Sequence, residues 1–271
     1  MRAVISTTHD PKYSFFLPIV SYCWSKLGVK VICFTPETNN ELELQQMALI
    51  TGTSYKEGFP FERYNFKAPK HKEATYAQCS RSYAGCLDLP GDEILVTSDI
   101  DMAVFKLPVY IDDYSNNPTI FGADLTPSNQ FPICYASAKV SYWKKAFGLT
   151  GVSYQKALDD LLGGIECENM RGNYWGKDQE ELYNKTWEDA CLINRARPGT
   201  QFADYRVDRD DVNWRSYVND SLIDAHLWRD GYTDENFANI LELLTAKYPN
   251  DNFYWLVNYR NEFVKTLNSE N

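Results

Sequence analysis

A short apolar run that ends in two carboxylates limits most strongly how this chain can fold. Residues 94–96 (Ile-Leu-Val) follow a turn at residues 89–92 and lead to Asp99 and Asp101, after which apolar residues resume up to Phe105. Such a run is typical of a central parallel strand, whose carboxyl end is where open α/β sheets bind ligands. Two neighbouring carboxylates among apolar residues need a counter-ion or a cation. The pattern therefore predicts an α/β sheet with a metal and diphosphate site at this edge, although either Asp could instead cap a helix or shape a turn.

The beginning of the chain predicts a β-α-β unit that supplies neighbouring strands of the same sheet. Residues 2–6 and 29–34 are strand-like runs, and a helical stretch between them at 14–26 is closed by Gly28. The aromatic, turn-rich stretch 52–72 is interpreted as a surface loop. Further helices are expected at 37–50, 73–87, 138–147, 152–162, 178–187, 235–247 and 253–267, and further strands at 119–123, 131–136 and 191–194.

Composition narrows the class of protein. The chain has 271 residues, 44% of them hydrophobic, which is enough for a folded core. Its net charge of −10 argues against nucleic acid as a partner. Seven cysteines form no C-x-x-C pair, which favours a reducing compartment. With no signal-peptide pattern and no transmembrane run of 18 apolar residues, we expect a cytoplasmic protein.

The turn after the first predicted strand is polar but lacks the glycines of a phosphate-binding loop. Residues 6–10 read Ser-Thr-Thr-His-Asp, so Thr7 and Thr8 could hydrogen-bond a nucleoside or could simply help to cap a helix. Neither G-x-G-x-x-G nor G-x-x-x-x-G-K-[ST] occurs. The charge of a phosphate must then be met by a metal and basic side chains. Arg81 is the nearest basic candidate, on a predicted helix that also carries Gln78.

Two later residues are candidates for the same site. Asp178 follows Trp175-Gly-Lys and begins a predicted helix, where it could cap that helix or act as a general base. His226 lies before the closing helices, and it is interpreted either as a structural histidine or as a third metal ligand beside the carboxylates. No Ser-His-Asp order and no G-x-S-x-G elbow is present, so covalent nucleophilic catalysis has no support in the sequence.

Taken together, these motifs resemble the GT-A family of nucleotide-sugar glycosyltransferases over roughly residues 2 to 230. The resemblance rests on the β-α-β opening with its polar turn, the D-x-D at 99–101, Arg81 before it and the Trp-Gly-Lys-Asp-Gln at 175–179. It implies a Rossmann-like, mixed but mostly parallel sheet flanked by helices. It also implies a nucleotide-binding half at 1–105, an acceptor half at 106–230 and helices at 231–271 packed on this domain.

The resemblance also implies roles for the candidate residues. Asp99, Asp101 and His226 would bind Mn²⁺ or Mg²⁺, and Thr7 and Thr8 would contact the nucleoside. Gln78, Arg81 and Asp99 would contact the rest of the donor. Asp178 would be the base that deprotonates a hydroxyl of a glycan or other acceptor. The implied reaction is metal-dependent transfer from a nucleotide-sugar, with UDP and inversion favoured. No longer subfamily signature is present, which leaves the donor sugar and the stereochemistry open.

Other classes of protein also fit parts of the pattern. A haloacid-dehalogenase-type phosphohydrolase places D-x-D at a strand end, but usually at the start of its domain and followed by Gly-Thr, whereas Met102 and Ala103 follow here. A nucleotidyltransferase would need a glycine-rich basic first loop. A non-catalytic carbohydrate-binding protein would use the 19 Tyr, 14 Phe and 7 Trp residues for sugar stacking but would leave the acidic pair without a task.

Overall fold

The strands of the computed structural model form two sheets. The structure describes residues 1–107, 117–163, 176–193, 205–218 and 222–268. The strands are β1 (Arg2–Ser6), β2 (Lys30–Pro36), β3 (Phe61–Phe66), β4 (Ile94–Thr97), β5 (Met102–Val104), β6 (Thr119–Phe121), β7 (Ala136–Lys139), β8 (Cys191–Ile193), β9 (Tyr205–Val207) and β10 (Leu222–His226). The main sheet has the order β3-β2-β1-β4-β7-β6-β8, and β5-β10-β9 form the second.

The main sheet is mostly parallel, as the sequence predicts. The first four strands in its order run parallel, β7 is antiparallel to both β4 and β6, and β8 is parallel to β6. Because β1 and β4 are parallel neighbours, the turns that follow their carboxyl ends lie side by side. This edge brings the polar turn after β1 next to the acidic turn after β4.

Helices cover the sheet, and none of those in the described residues is long and apolar enough to cross a membrane. The helices are α1 (Pro11–Ser14), α2 (Leu17–Lys26), α3 (Glu41–Lys56), α4 (Glu73–Ser80), α5 (Val140–Ala146), α6 (Tyr154–Leu162), α7 (Lys177–Thr186), α8 (Asp234–Lys247) and α9 (Tyr254–Asn268). Short 3-10 segments occur at Lys70–Lys72, Arg81–Cys86, Ala123–Leu125 and Trp214–Tyr217.

The central strands are buried on both faces, which explains why they read as continuous apolar runs. In β1, Ile5 belongs to one hydrophobic core and Val4 to the other. In β4, Val96 and Leu95 divide in the same way. Side chains alternate between the faces of a strand, so a strand between two cores needs apolar residues at every position. The α/β interpretation of these runs is confirmed.

Some predicted elements were wrong because pairing and packing decide short segments. The stretch 52–72, interpreted as a loop, contains the tail of α3 and the edge strand β3, which pairs in parallel with β2. The apolar run 131–136 is not a strand: Phe131 and Ile133 are buried in the second core, and β7 begins at Ala136. Apolar runs of this length do not distinguish a strand from a buried loop.

The strand β10 was also missed, and it matters for the site. The sequence places His226 in a stretch between a loop and the closing helices, whereas the structure pairs β10 with β5 so that His226 lies opposite Met102. Residue Asp101 directly precedes β5, and its carbonyl oxygen accepts a hydrogen bond from the Leu227 backbone N–H at 2.8 Å. This pairing brings His226 to the D-x-D turn.

The closing helices share a core with the first helices. The ring of Tyr259 in α9 stacks on Phe15 at 5.2 Å between centroids, and its hydroxyl donates to the Phe15 carbonyl oxygen at 3.0 Å. Phe263 is fully buried, with its ring 5.2 Å from that of Phe15 and 5.9 Å from that of Tyr232. Residues far apart in the chain thus complete one apolar cluster.

This packing predicts a large cost for truncating a buried ring of α9. Replacing Phe263 by Ala leaves a cavity inside the aromatic cluster, so we expect the free energy of unfolding to fall by about 3–5 kcal/mol. Urea denaturation followed by circular dichroism measures the change. The matched control is Tyr254→Ala on the same helix, where the ring is exposed and the expected change is within about 0.5 kcal/mol. Equal effects in the two variants would contradict the described packing.

Candidate functional site

A cavity of about 270 Å³ lies at the carboxyl edge of β1 and β4. Its walls come from the turns after these strands, from α4 and the following 3-10 segment, from the start of α7, and from the residues after β9 and at the end of β10. All eight residues predicted from the sequence line it, namely Thr7, Thr8, Gln78, Arg81, Asp99, Asp101, Asp178 and His226. The fold therefore brings these residues together; their roles in binding and catalysis stay predictions.

The turn after β1 is built by its own polar side chains. The Thr7 backbone N–H donates to the Phe34 carbonyl oxygen of β2 at 3.0 Å, which carries the strand pairing one residue further. The Thr7 hydroxyl donates to the Thr8 carbonyl oxygen at 2.9 Å. Asp10 is the residue that caps α1, because its carboxylate accepts the Lys12 backbone N–H at 2.9 Å. The Thr8 hydroxyl accepts the Asp10 backbone N–H at 3.3 Å, and both Thr7 and Thr8 also line the cavity.

Arg81 connects the two acidic parts of the site. Its side chain is only 5% exposed. One guanidinium nitrogen, Nη1, donates to the Asp99 carboxylate and to the Ser98 carbonyl oxygen at 3.0 Å, while Nη2 donates to Asp178 Oδ2 at 2.8 Å. A planar guanidinium suits this double task because its donors form a rigid fork. Arg81 therefore joins the end of β4 to the start of α7.

The pKa values of the two carboxylates bound to Arg81 are shifted in opposite directions. Burial acts to raise the pKa of Asp99, but the charge and hydrogen bond of Arg81 outweigh it and lower the pKa. The side chain of Asp178 is only 3% exposed, and burial raises its pKa despite the charge of Arg81. The negative charge of Asp99 acts in the same direction on Asp178. Loss of hydration therefore destabilises the ionised form of Asp178 more than the shared guanidinium stabilises it.

Asp178 is not the cap of its helix. The N-cap position of α7 is Gly176, whose φ of 92° lies in the left-handed region that favours glycine. Asp178 Oδ1 accepts the backbone N–H of Gln179 at 3.0 Å, so each carboxylate oxygen has a donor. The preceding Trp175 of the sequence motif lies outside the described residues. The residues between 176 and 179 therefore supply a glycine turn and a buried carboxylate to the cavity.

Asp101 and His226 form the second polar cluster. Asp101 Oδ2 lies 3.3 Å from His226 Nε2, and it accepts a hydrogen bond from Arg209 Nη2 at 3.0 Å. The other ring nitrogen, His226 Nδ1, is 3.5 Å from Asp208 Oδ1. Burial raises the pKa of Asp101, and the opposing interactions with His226 and Arg209 do not offset it. A cation bound beside this carboxylate would stabilise its ionised form.

The chemistry of these side chains fits a divalent cation. Carboxylate oxygen and imidazole nitrogen are both ligands of Mn²⁺, and Mg²⁺ sites often use one or two carboxylates together with substrate phosphates. No group of three or more His, Cys, Asp and Glu side chains in the described part of the chain is arranged to hold a metal by itself. The protein can therefore offer Asp101 and His226 to such a cation, while Asp99 is held by Arg81.

Sequence reasoning missed several charged residues around the site. Arg206 in β9 binds Asp224 in β10 through two hydrogen bonds of 2.7 and 2.8 Å, and the Tyr135 hydroxyl donates to the same carboxylate at 2.8 Å. Arg209 and Arg229 line the cavity. The sequence shows 195–211 as a highly charged segment without a regular helix or strand pattern, and charge alone does not indicate which of its arginines face the cavity. Residues 195–204 of this segment lie outside the described residues.

Comparisons with known proteins identify the fold. No protein-family model matches the chain, and no curated protein matches it in sequence. The chain is similar to the solved structure of the galactosyltransferase LgtC in complex with donor and acceptor sugar analogs, with a TM-score of 0.51, 9% identity, and coverage of 91% of this chain and 95% of that chain. An active-site mutant of LgtC gives a TM-score of 0.50 at 9% identity, covering 91% and 96%.

A third solved structure, mouse xyloside xylosyltransferase 1, covers 83% of this chain and 96% of that chain, with a TM-score of 0.41 and 9% identity. At such identities the likeness to LgtC establishes the fold and nothing finer. The chain has the mixed α/β fold of GT-A glycosyltransferases, with a mostly parallel seven-stranded sheet in its described residues. The fold class predicted from the sequence is confirmed.

The raised pKa of Asp178 predicts a pH dependence of stability. Because the folded-state pKa lies above the unfolded value of about 3.9, the folded protein binds the proton more tightly. Wild-type stability should therefore fall relative to Asp178→Asn as the pH rises from about 4 through the raised pKa. Urea unfolding of both proteins at pH 4 and pH 7 measures this difference. A difference that grew in favour of the wild type toward pH 7 would contradict a raised pKa of Asp178.

Proposed function

We propose that this chain is a glycosyltransferase that moves a sugar from a nucleotide-sugar donor to a hydroxyl group of a glycan or other acceptor. One observation carries the proposal: the D-x-D carboxylates, His226 and Arg81 line one cavity at the carboxyl edge of a sheet with the GT-A fold. This edge is where open α/β sheets bind their ligands. We keep the cytoplasm as the proposed compartment, on the cysteine pattern of the sequence.

The donor occupies the side of the cavity nearest β1 and β4 in this proposal. Thr7 and Thr8 contact the nucleoside, which we propose to be uridine, and Gln78 and Asp99 contact the ribose or sugar. The turn after β1 has no glycine-rich cradle of backbone N–H groups, so side chains and a cation must meet the charge of the diphosphate. Arg81 holds the Asp99 carboxylate in place and contributes positive charge beside it.

The proposed cofactor is Mn²⁺ or Mg²⁺, held by Asp101 and His226 with Asp99 beside them. When bound, such a cation neutralises charge on the leaving nucleoside diphosphate. The protein's part is to keep its ligands in position. The pairing of β10 with β5 fixes the backbone of His226 opposite Met102, and Asp208 lies beside the second ring nitrogen of His226. Partners at a second ring nitrogen orient a ligating histidine.

Asp178 is the proposed general base of an inverting transfer. Arg81 and the Gln179 backbone N–H donate to its two oxygens. Each carboxylate oxygen has two lone pairs, so Asp178 keeps acceptor capacity for the proton of an acceptor hydroxyl beside these two hydrogen bonds. Its raised pKa is in the direction that makes a carboxylate a better base. If the transfer instead retains the anomeric configuration, Asp178 is a positioning residue for Arg81.

Nucleotide binding tests the class of activity. Isothermal titration calorimetry with UDP, GDP and CDP, each with and without Mn²⁺, should give metal-dependent binding of one nucleotide, with UDP expected. Asp101→Ala should abolish metal-dependent sugar transfer while keeping the circular dichroism spectrum. The matched control is Asp160→Ala, an exposed carboxylate paired with Lys156, which should leave transfer unchanged. Retained metal-dependent transfer in Asp101→Ala would reject the assignment, and release of phosphate from simple phosphate esters would favour a phosphohydrolase.

The stereochemistry of the product tests the proposed base. NMR of the first-formed product should show inversion at the anomeric carbon. Asp178→Asn should lower kcat by a factor of about 10² or more, because general base catalysis contributes this much. The control is Asp189→Asn, which replaces an exposed carboxylate just after α7 and should leave kcat unchanged. Retention of configuration, or nearly full turnover in Asp178→Asn, would remove the base role from Asp178.

A further inference from the structure

Arg209 is a positively charged residue of the cavity that has no role in the proposed reaction. It follows β9, its side chain is 14% exposed, and it lines both the main cavity and a neighbouring polar cavity of about 580 Å³. Its Nη2 donates to Asp101 Oδ2 at 3.0 Å. Its Nη1 is buried without a hydrogen-bond partner among the described residues. One half of the guanidinium is therefore satisfied and the other half is not.

The bonded nitrogen of Arg209, Nη2, lies at the Asp101 oxygen that a metal shared with His226 would use. The oxygen that accepts from Arg209 is the one that lies 3.3 Å from His226 Nε2. A divalent cation held jointly by Asp101 and His226 would approach this same oxygen. A guanidinium and a divalent cation on one carboxylate oxygen repel each other. Arg209 would therefore compete with such a cation for Asp101.

The unsatisfied half indicates a ligand that accepts a hydrogen bond. Burying an N–H donor without a partner is costly, so such a group in a cavity wall is a sign of a ligand that meets it. Guanidinium groups are especially suited to phosphate oxygens, because two of their N–H groups can bind one phosphate. Arg209 has the charge and the position for an anionic ligand in the main cavity.

We propose that Arg209 is a donor-binding residue that exchanges partners. In the ligand-free protein it donates to Asp101; when a divalent cation takes Asp101, Arg209 releases it and donates to the phosphates of the nucleoside diphosphate. The inference rests on the proposed function, since it concerns the same donor site. It makes metal binding and donor binding cooperative, because each ligand removes a cost that the other would meet alone.

Two titrations of Arg209→Gln test the exchange. The first measures the affinity for Mn²⁺ alone, and the second measures the affinity for the nucleoside diphosphate that the wild type prefers among UDP, GDP and CDP, at saturating Mn²⁺. Without its competitor, Mn²⁺ alone should bind about fivefold more tightly, as expected for a partly buried ion pair. Without its phosphate donor, the nucleotide should bind about tenfold or more weakly. These opposite changes in one variant are the signature of the exchange.

Control variants separate this role from a structural one. Arg215→Ala removes an exposed arginine paired with Glu242 and should change neither affinity. Arg209→Lys keeps the charge but loses the fork, so its Mn²⁺ affinity should stay near that of the wild type and its nucleotide affinity should fall between the wild type and Arg209→Gln. Thermal melting checks that the variants are folded. A variant that is merely distorted would bind both ligands more weakly.

The outcomes also distinguish this inference from the proposed function. If the wild type binds a nucleotide with Mn²⁺ but Arg209→Gln binds Mn²⁺ no more tightly, or binds the nucleotide as well as the wild type does, the exchange is wrong and the proposed function stands. If the wild type binds none of the three nucleotides in the presence of Mn²⁺, both are overturned.

Discussion

The buried guanidinium of Arg81 is the interaction on which the arrangement of the site depends. It holds Asp99, at the end of β4, and Asp178, at the start of α7, although Arg81 and Asp178 are 97 positions apart in the sequence. The two negative charges repel each other, and the nearly buried Asp178 also loses hydration. A single cation between them reduces both costs. Without Arg81, Asp99 and Asp178 would lose the counter-ion that they share.

The three carboxylates of the site differ in how burial and their charged neighbours shift their pKa values. Asp99 has a lowered pKa because Arg81 binds it strongly, whereas burial leaves Asp101 and Asp178 with raised pKa values. Among the described residues, the side chains of Arg81, Arg209 and His226 are paired with these three carboxylates. Buried carboxylates with shifted pKa values are typical of functional sites.

The second sheet brings the late part of the chain to this site. The strand β10 pairs with β5 on one side and β9 on the other, which places His226 beside Asp101 and Arg209 close to both. The buried Asp224 receives two hydrogen bonds from Arg206 and one from Tyr135, so β9, β10 and the residue before β7 are held together by one satisfied carboxylate. A fully satisfied buried network of this kind favours one arrangement of the strands.

The sequence by itself determined the α/β class, most strands of the central sheet and eight of the residues that line the cavity. It did so because buried strands must be apolar at every position and because carboxylates at their ends are conspicuous. Only the tertiary structure decided that β10 is a strand, that Asp178 is bound by Arg81 and that Arg209 faces Asp101. These features depend on contacts between residues far apart in the chain, and local sequence patterns do not record which distant charges will meet.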